Sequence, residues 1–379
     1  MQITVLCKVV DNFGDIGVVY RLSKQLKKIN PENQINLVVD DLISFNKICN
    51  LVQCDVSEQE VEGLRVFNWN AADYCHEAFS RNDGELVPVI LECFQCGRPD
   101  WMEKILFEEK LSRTVHIIMI DYLTAEQYAE DFHCLQSLTR SAKVQKVNFM
   151  PGFTEKTGGL VIEEEWHEVP ERKADGPVLV FTYEKDWRDL VDGWLSACSA
   201  IPPYEPKLLV AQGRGKESFM SAVKACGADG LVEELPYLNQ TEWDKVMKSC
   251  SALVIRGEES MSRACLSGIP FIWHAYPQSD EYQLVKVNAL LERMRRHFSE
   301  EDFEIVERAW LDINSPSEPS LRPSTGSGTG EERRSNPYSD FFSAVDHLAP
   351  SFYDFACSLR KNGDLAANLM TYIEKLAII

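Results

Sequence analysis

The chain has 379 residues, more than one hydrophobic core usually spans, so two domains are expected. Apolar residues make up 45%, ordinary for a globular protein and well above the range of disordered chains. With 39 basic against 59 acidic side chains the formal charge is −20, which repels a phosphate backbone and disfavours general nucleic-acid binding, while leaving room for one local basic pocket.

The opening MQITVLCKVVDNFGD has a short apolar run that ends in acidic residues and lacks a cleavage site, so it reads as a first strand rather than a signal peptide. No segment reaches the roughly 18 uncharged apolar residues that span a bilayer. A soluble, cytoplasmic protein with no membrane partner is expected. The twelve cysteines are dispersed, and Cys7, Cys250 and Cys265 sit in apolar segments where a thiol acts as a small hydrophobe. Cys93-Phe94-Gln95-Cys96 has metal-like spacing, but no second pair follows, so neither a metal nor a disulfide framework is expected. Dispersed thiols suit a reducing compartment.

In chain order, ITVLCKVV reads as a strand, DNFGDIG as a loop, VVYRLSKQLKK as a helix and INLVVDD as a strand. This βαβ rhythm marks a parallel sheet. LVPVILECF and TVHIIMIDYL add strands, and MPGFTEKTGGL closes the first half. After EEEWHEVPERKADGP the rhythm restarts: VLVFTYE, WRDLVDGWLSACSA, KLLVAQG, KESFMSAVKAC, DGLVEELPYL, TEWDKVMKSC, ALVIRG, EESMSRACLSG and PFIWHAY alternate strand and helix. Two doubly wound halves imply an α/β protein of two Rossmann-like domains facing a cleft. The expected division is 1–160, 175–350 and closing helices at 351–379 that pack back across both domains. The Ser-, Pro- and Gly-rich stretch 314–336 is expected to be a mobile loop.

Two turns stand out. Asp11-Asn12-Phe13-Gly14-Asp15-Ile16-Gly17 follows the first strand, at the edge where open α/β sheets bind ligands. Gly14 and Gly17 permit a tight turn and close approach of a ligand. The loop is neither a Walker A sequence nor GxGxxG, and its carboxylates suit a base or a cation site better than a phosphate cradle. The bland alternative is that Asp11 or Asp15 caps the helix; one can cap while the other works, and spacing does not say which.

The second turn is Arg256-Gly257-Glu258-Glu259-Ser260, between an apolar strand and a helix. Helix-start amides, the Ser260 hydroxyl and the Arg256 guanidinium can hold a diphosphate. Glu258 and Glu259 would repel phosphate, so they suit sugar or ribose hydroxyls, or hold Arg256 and Arg263 in place. The bland alternative is a capping box with acidic first-turn residues. Phe181, Thr182 and Tyr183 after one strand, and Pro236-Tyr237-Leu238-Asn239-Gln240 after another, lie on the edge where a base can stack; each also reads as packing. His274 and Tyr276 follow PFIW, where a lone histidine reads as a satisfied structural group.

Taken together, DNFGDIG, FTYE, LPYLNQ, RGEES and SGIPFIWHAYPQ, in this order, resemble the elongation factor P arginine rhamnosyltransferases, the EarP family. The resemblance covers nearly the whole chain apart from 314–336. It implies a GT-B glycosyltransferase fold and metal-independent, inverting transfer of rhamnose from dTDP-β-L-rhamnose to an arginine of elongation factor P, activating that factor for rescue of stalled ribosomes. No cofactor beyond the donor is implied. Carried over by motif, Asp15 matches the catalytic base and Asp11 the other loop carboxylate, with Asn12, Phe13, Gly14 and Gly17 around them. Phe181, Tyr183, Tyr237, Gln240 and Trp243 match positions around the thymidine. Arg256, Glu258, Glu259 and Ser260 match the segment that meets sugar and diphosphate, Glu258 also among the catalytic groups. Glu259 departs from the family's Asp there; the extra methylene keeps the charge and changes the reach. Other readings are a GT-B transferase acting on a glycan or small acceptor, a non-enzymatic nucleotide-binding module, and an NAD-dependent dehydrogenase, which the missing GxGxxG weakens.

Overall fold

In the computed structural model, residues 1–10, 14–80, 89–199, 207–316 and 335–377 are described. The chain divides into two compact units, Met1–Glu168 with Ser358–Ile379, and Val169–Cys357.

The first unit runs β1 (Gln2–Cys7), α1 (Gly14–Ile29), β2 (Gln34–Val39), α2 (Leu42–Ile48), β3 (Glu58–Val61), β4 (Leu64–Asn68), α3 (Ala72–Ser80), β5 (Val89–Cys93), α4 (Asp100–Phe107), β6 (Val115–Ile120), α5 (Tyr128–Phe132), β7 (Gln136–Ser137) and β8 (Val144–Phe149). Its described strands form one sheet in the order β3-β4-β2-β1-β5-β6-β8-β7. The pairings are parallel except at the two edges, β3 on β4 and β7 on β8. The central strands are mostly apolar because helices cover both faces, with Thr4, Asn36 and Glu92 buried among the apolar residues. Val5, Cys7 and Leu91 face one apolar cluster with Ile16, Val19 and Leu26 of α1, while Leu6 and Ile90 face the other with Trp101 and Ile105 of α4.

The second unit runs β9 (Val178–Val180), α6 (Arg188–Cys198), β10 (Leu208–Val210), α7 (Lys216–Ala225), β11 (Val232–Glu234), α8 (Gln240–Lys248), β12 (Ala252–Arg256), α9 (Glu258–Ser267), β13 (Phe271–His274), α10 (Tyr282–Arg295), α11 (Glu300–Asn314) and α12 (Pro337–Arg360), which ends in the first unit. Its described strands pair in parallel in the order β11-β10-β9-β12-β13. Trp310, Phe341, Phe352 and Phe355 are buried, and the Trp310 indole donates to the Phe271 carbonyl at 2.8 Å.

Finally α13 (Leu365–Ala377) packs against α1 within the first unit. Leu365, Ala366, Leu369, Met370 and Ile373 recur at helical spacing and join its core cluster.

Two sequence expectations change. The turn expected through Gly17 is helix, since α1 begins at Gly14 and Gly17 is buried inside it. Favourable packing of the Ile16 and Val19 face outweighs the low helix propensity of two glycines. The stretch 314–336 is also ordered at both ends. Asn314 is buried, donating to the Trp273 carbonyl at 2.7 Å and accepting from the Ala275 amide at 2.8 Å. Asn336 accepts from the Tyr338 amide at 2.9 Å, and its amide donates to the Asp189 carbonyl at 2.8 Å. Residues 317–334 lie outside the described residues.

Candidate active site

In the second unit successive strands leave β9 in opposite directions, β10 to one side and β12 to the other. The carboxyl ends of β9 and β12 therefore flank the crevice where such sheets bind ligands. Phe181 and Tyr183 follow β9, and Arg256 closes β12. The guanidinium carbon of Arg256 lies 4.4 Å from the Phe181 ring centroid and 4.5 Å from that of Tyr183. A cation held between two aromatic faces keeps its planar fork in one orientation. Trp243 of α8 meets Phe181 edge-on at 5.1 Å. The Arg256 Nε and Trp243 Nε1 atoms are both buried donors without an acceptor among the described residues. Such a donor costs about 1–3 kcal/mol when left unmet, so two around one ring suit a ligand rich in oxygen.

Gly257 sits between Arg256 and α9 with φ of 73°, a conformation that a side chain at this position would strain. It is the N-cap of α9 and supplies no side-chain cap, so the alternative reading of this turn as a capping box does not hold. A glycine N-cap has no side chain of its own to cap the helix start, the setting in which helix-start amides bind phosphate. Gly213, after β10, lies under Phe181, where an added Cβ would come within 2.9 Å of the ring. Ser260 is buried in the first turn of α9.

Other residues find different partners from those expected. Glu258 lies 3.3 Å from Lys286 of α10, so Lys286 holds it while the aromatic rings hold Arg256. Arg263 is buried within α9. Asn239 is the N-cap of α8, in a capping box with Glu242. Gln240 opens that helix, and Tyr237 is two-thirds exposed on the loop before it. Tyr276, read in the sequence only as a neighbour of His274, meets Tyr183 edge-on at 5.3 Å.

His274 is the structural group that its isolation suggested. Its Nδ1 accepts from the Tyr183 amide at 3.3 Å, and its ring packs edge-on against Tyr183 and Trp187. Burial, and then the charges of Lys185 and Arg256, pull its pKa down to about 3. The unfolded chain protonates this ring near pH 6.5 and the folded chain does not, so stability is lost as pH falls below 6.5. Against His274→Asn, which keeps an acceptor for the Tyr183 amide, the native chain is expected to lose about 2 kcal/mol between pH 8 and pH 5. Urea unfolding of both proteins across that range measures it, and parallel pH curves would refute the assignment.

In the first unit the strand order reverses between β1 and β5. Asp15 stands there in the first turn of α1, buried at 3% exposure. It lies inside the helix rather than at its N-cap, and its Oδ2 accepts from the Val10 amide at 2.8 Å. The positive end of the helix favours a carboxylate at this position. Burial, then neighbouring groups that include Asp15, push the thiols of Cys7 and Cys93 well up. Burial also raises Cys96, to about 12, so these cysteines are thiols rather than nucleophiles. Gly14 opens α1; Asp11, Asn12 and Phe13 lie outside the described residues. Among the described residues no group of three or more His, Cys, Asp or Glu is placed to hold a metal.

Residues 3–374 match the family described as Elongation-Factor P (EF-P) rhamnosyltransferase EarP. The chain belongs to the EarP family. Protein-arginine rhamnosyltransferases from Shewanella oneidensis, Neisseria meningitidis and Pseudomonas aeruginosa are similar to it, each 30% identical. The alignments cover 84%, 82% and 76% of this chain and 91%, 83% and 80% of those proteins. A solved structure described as the basis of EarP-mediated arginine glycosylation of translation elongation factor EF-P superposes with a TM-score of 0.56. It is 18% identical and covers 99% of each chain. Its likeness supports the α/β, GT-B class of fold. EarP membership makes the chain a glycosyltransferase, and the dehydrogenase and the non-enzymatic module give way to it.

Proposed function

We propose that this EarP-family chain transfers L-rhamnose from dTDP-β-L-rhamnose to an arginine side chain of elongation factor P, with inversion at the anomeric carbon. The family match over residues 3–374 carries the reading. Further support comes from the Arg256 crevice, whose buried donors suit a nucleoside diphosphate.

In this scheme Phe181, Tyr183, Tyr237, Gln240 and Trp243 take the thymidine. Arg256, the first-turn amides of α9 and the Ser260 hydroxyl take the diphosphate, while Glu258 and Glu259 face sugar hydroxyls. A protonated guanidinium has no lone pair to offer, and its pKa exceeds 12. Asp15 accepts a guanidinium proton as a nitrogen attacks the anomeric carbon. The new C–N bond forms opposite the C–O bond that breaks, and the electron pair leaves with dTDP. Charge on the departing diphosphate is met by Arg256 and the helix amides, so the scheme calls on no metal ion.

No helix among the described residues is long and apolar enough to cross a membrane. With a translation factor as acceptor, the cytoplasm is the proposed compartment. Incubating the chain with elongation factor P and dTDP-rhamnose should add one deoxyhexose to the acceptor by intact mass, on arginine and in the α configuration by NMR. An acceptor of unchanged mass would count decisively against the reading.

A further inference from the structure

The β1 side of the first unit's crevice carries Asp15, and the β5 side carries an unusual turn. The Cys96 amide donates to the Cys93 carbonyl at 3.1 Å, and the two residues between them are left-handed, Phe94 with φ of 56° and Gln95 with φ of 53°. Such a turn normally takes Gly, Asn or Asp at those positions. Residues with larger side chains cost about 1–3 kcal/mol each there and persist only where their surroundings hold them.

The surroundings hold this turn from both neighbouring strands. The Phe94 amide donates to the Ile120 carbonyl at 2.7 Å, extending the β5–β6 pairing beyond the end of β5. Its ring stacks on Tyr122, with centroids 4.6 Å apart and planes 19° from parallel. The Gln95 side-chain amide reaches both carboxylate oxygens of Asp121, at 3.1 and 3.4 Å. Asp121 also accepts from the Tyr122 amide at 2.8 Å. On the other side the Cys96 thiol contacts the Leu6 carbonyl at 3.6 Å. Gln95 is exposed, and Phe94, Asp121 and Tyr122 are only half-buried. The turn therefore presents two rings and an oriented carboxylate at the ligand end of the sheet.

We propose that Phe94, Tyr122 and Asp121 form the seat of the acceptor guanidinium beside Asp15, an inference that rests on the transferase reading above. A guanidinium is planar and weakly hydrated, so it lies well on an aromatic face while its edge N–H groups meet a carboxylate. An ionised carboxylate has about four lone-pair sites, so the contacts to Gln95 and Tyr122 leave capacity for the ligand. Leu6 of β1 pairs in register with Glu92 of β5, so Asp15, which follows β1, and this turn, which follows β5, leave the same end of neighbouring strands. The strained turn thus sets an arginine-binding face next to the group that accepts the arginine proton.

Tyr122→Leu and Asp121→Asn test the seat, each at saturating dTDP-rhamnose with elongation factor P varied. Each is expected to lower kcat/KM for the acceptor ~10-fold, with dTDP affinity and Tm unchanged. Tyr122→Phe keeps the ring and should restore at least half of the native value. The seat is overturned if acceptor kcat/KM stays native in both variants, if Tyr122→Phe is as impaired as Tyr122→Leu, or if the loss comes with weaker dTDP binding or a lower Tm. A native chain that transfers no rhamnose overturns the transferase reading as well, whereas an active native chain with indifferent variants overturns the seat alone.

Discussion

Replacing Asp15 by Asn is expected to lower the transfer rate roughly a thousandfold, within the range that a positioned general base supplies. The fold should survive the change. The amide oxygen of Asn can still accept from the Val10 N–H that Asp15 Oδ2 holds at 2.8 Å. What disappears is the ability to take a proton, together with a negative charge at the start of α1. Because Asp15 is buried, its interaction with an arriving guanidinium is weakly screened, and its removal should be correspondingly costly. dTDP affinity should not move, since Asp15 belongs to the other structural unit from the Arg256 crevice. Single-turnover rates with bound donor isolate the chemical step. A variant that transfers rhamnose at a near-native rate would remove Asp15 from the role of base.

Arg256→Lys is expected to lower kcat/KM for the donor by about 100-fold and to weaken dTDP binding by a similar factor. The substitution keeps the charge, so the prediction concerns shape. The Arg256 guanidinium lies between the Phe181 and Tyr183 rings, and its Nε is a buried donor with no acceptor among the described residues. A lysine ammonium lacks both the planar fork and a group at that position. Losing a charge-assisted hydrogen bond costs about 1.5–3 kcal/mol, equivalent to 10- to 100-fold. Calorimetric titration with dTDP measures the loss directly. Binding within about threefold of the native protein would show that the diphosphate sits elsewhere.

The βαβ rhythm is legible because parallel strands covered on both faces are written as mostly apolar runs, with a single charged residue each in VILEC and ALVIR. The β3–β4 hairpin went unread because its edge strand, EQEV, is mostly polar and pairs only on one side. The start of α1 was misplaced because its glycines were read by local propensity, and core packing overrides that. Phe181, Tyr183, Trp243 and Arg256 could be chosen because ligand-edge positions follow directly from where the apolar strands end. The Glu258–Lys286 pair could not, since it joins residues 28 apart through the packing of α9 and α10. Nor did the sequence mark the Phe94–Gln95 turn: neither residue signals a left-handed backbone, and Cys93-x-x-Cys96 suggested metal spacing instead.

The first unit is assembled from both ends of the chain, with the second unit encoded between them. During synthesis all of Val169–Cys357 leaves the ribosome before the segment carrying α13. The internal unit is continuous and can complete its core while translation continues. The amino-terminal sheet has to wait, with the ground beneath Leu365, Leu369 and Ile373 still bare. A nascent chain therefore spends the translation of more than half its length with an apolar face uncovered, and premature termination before α13 is expected to yield aggregation rather than a smaller working enzyme.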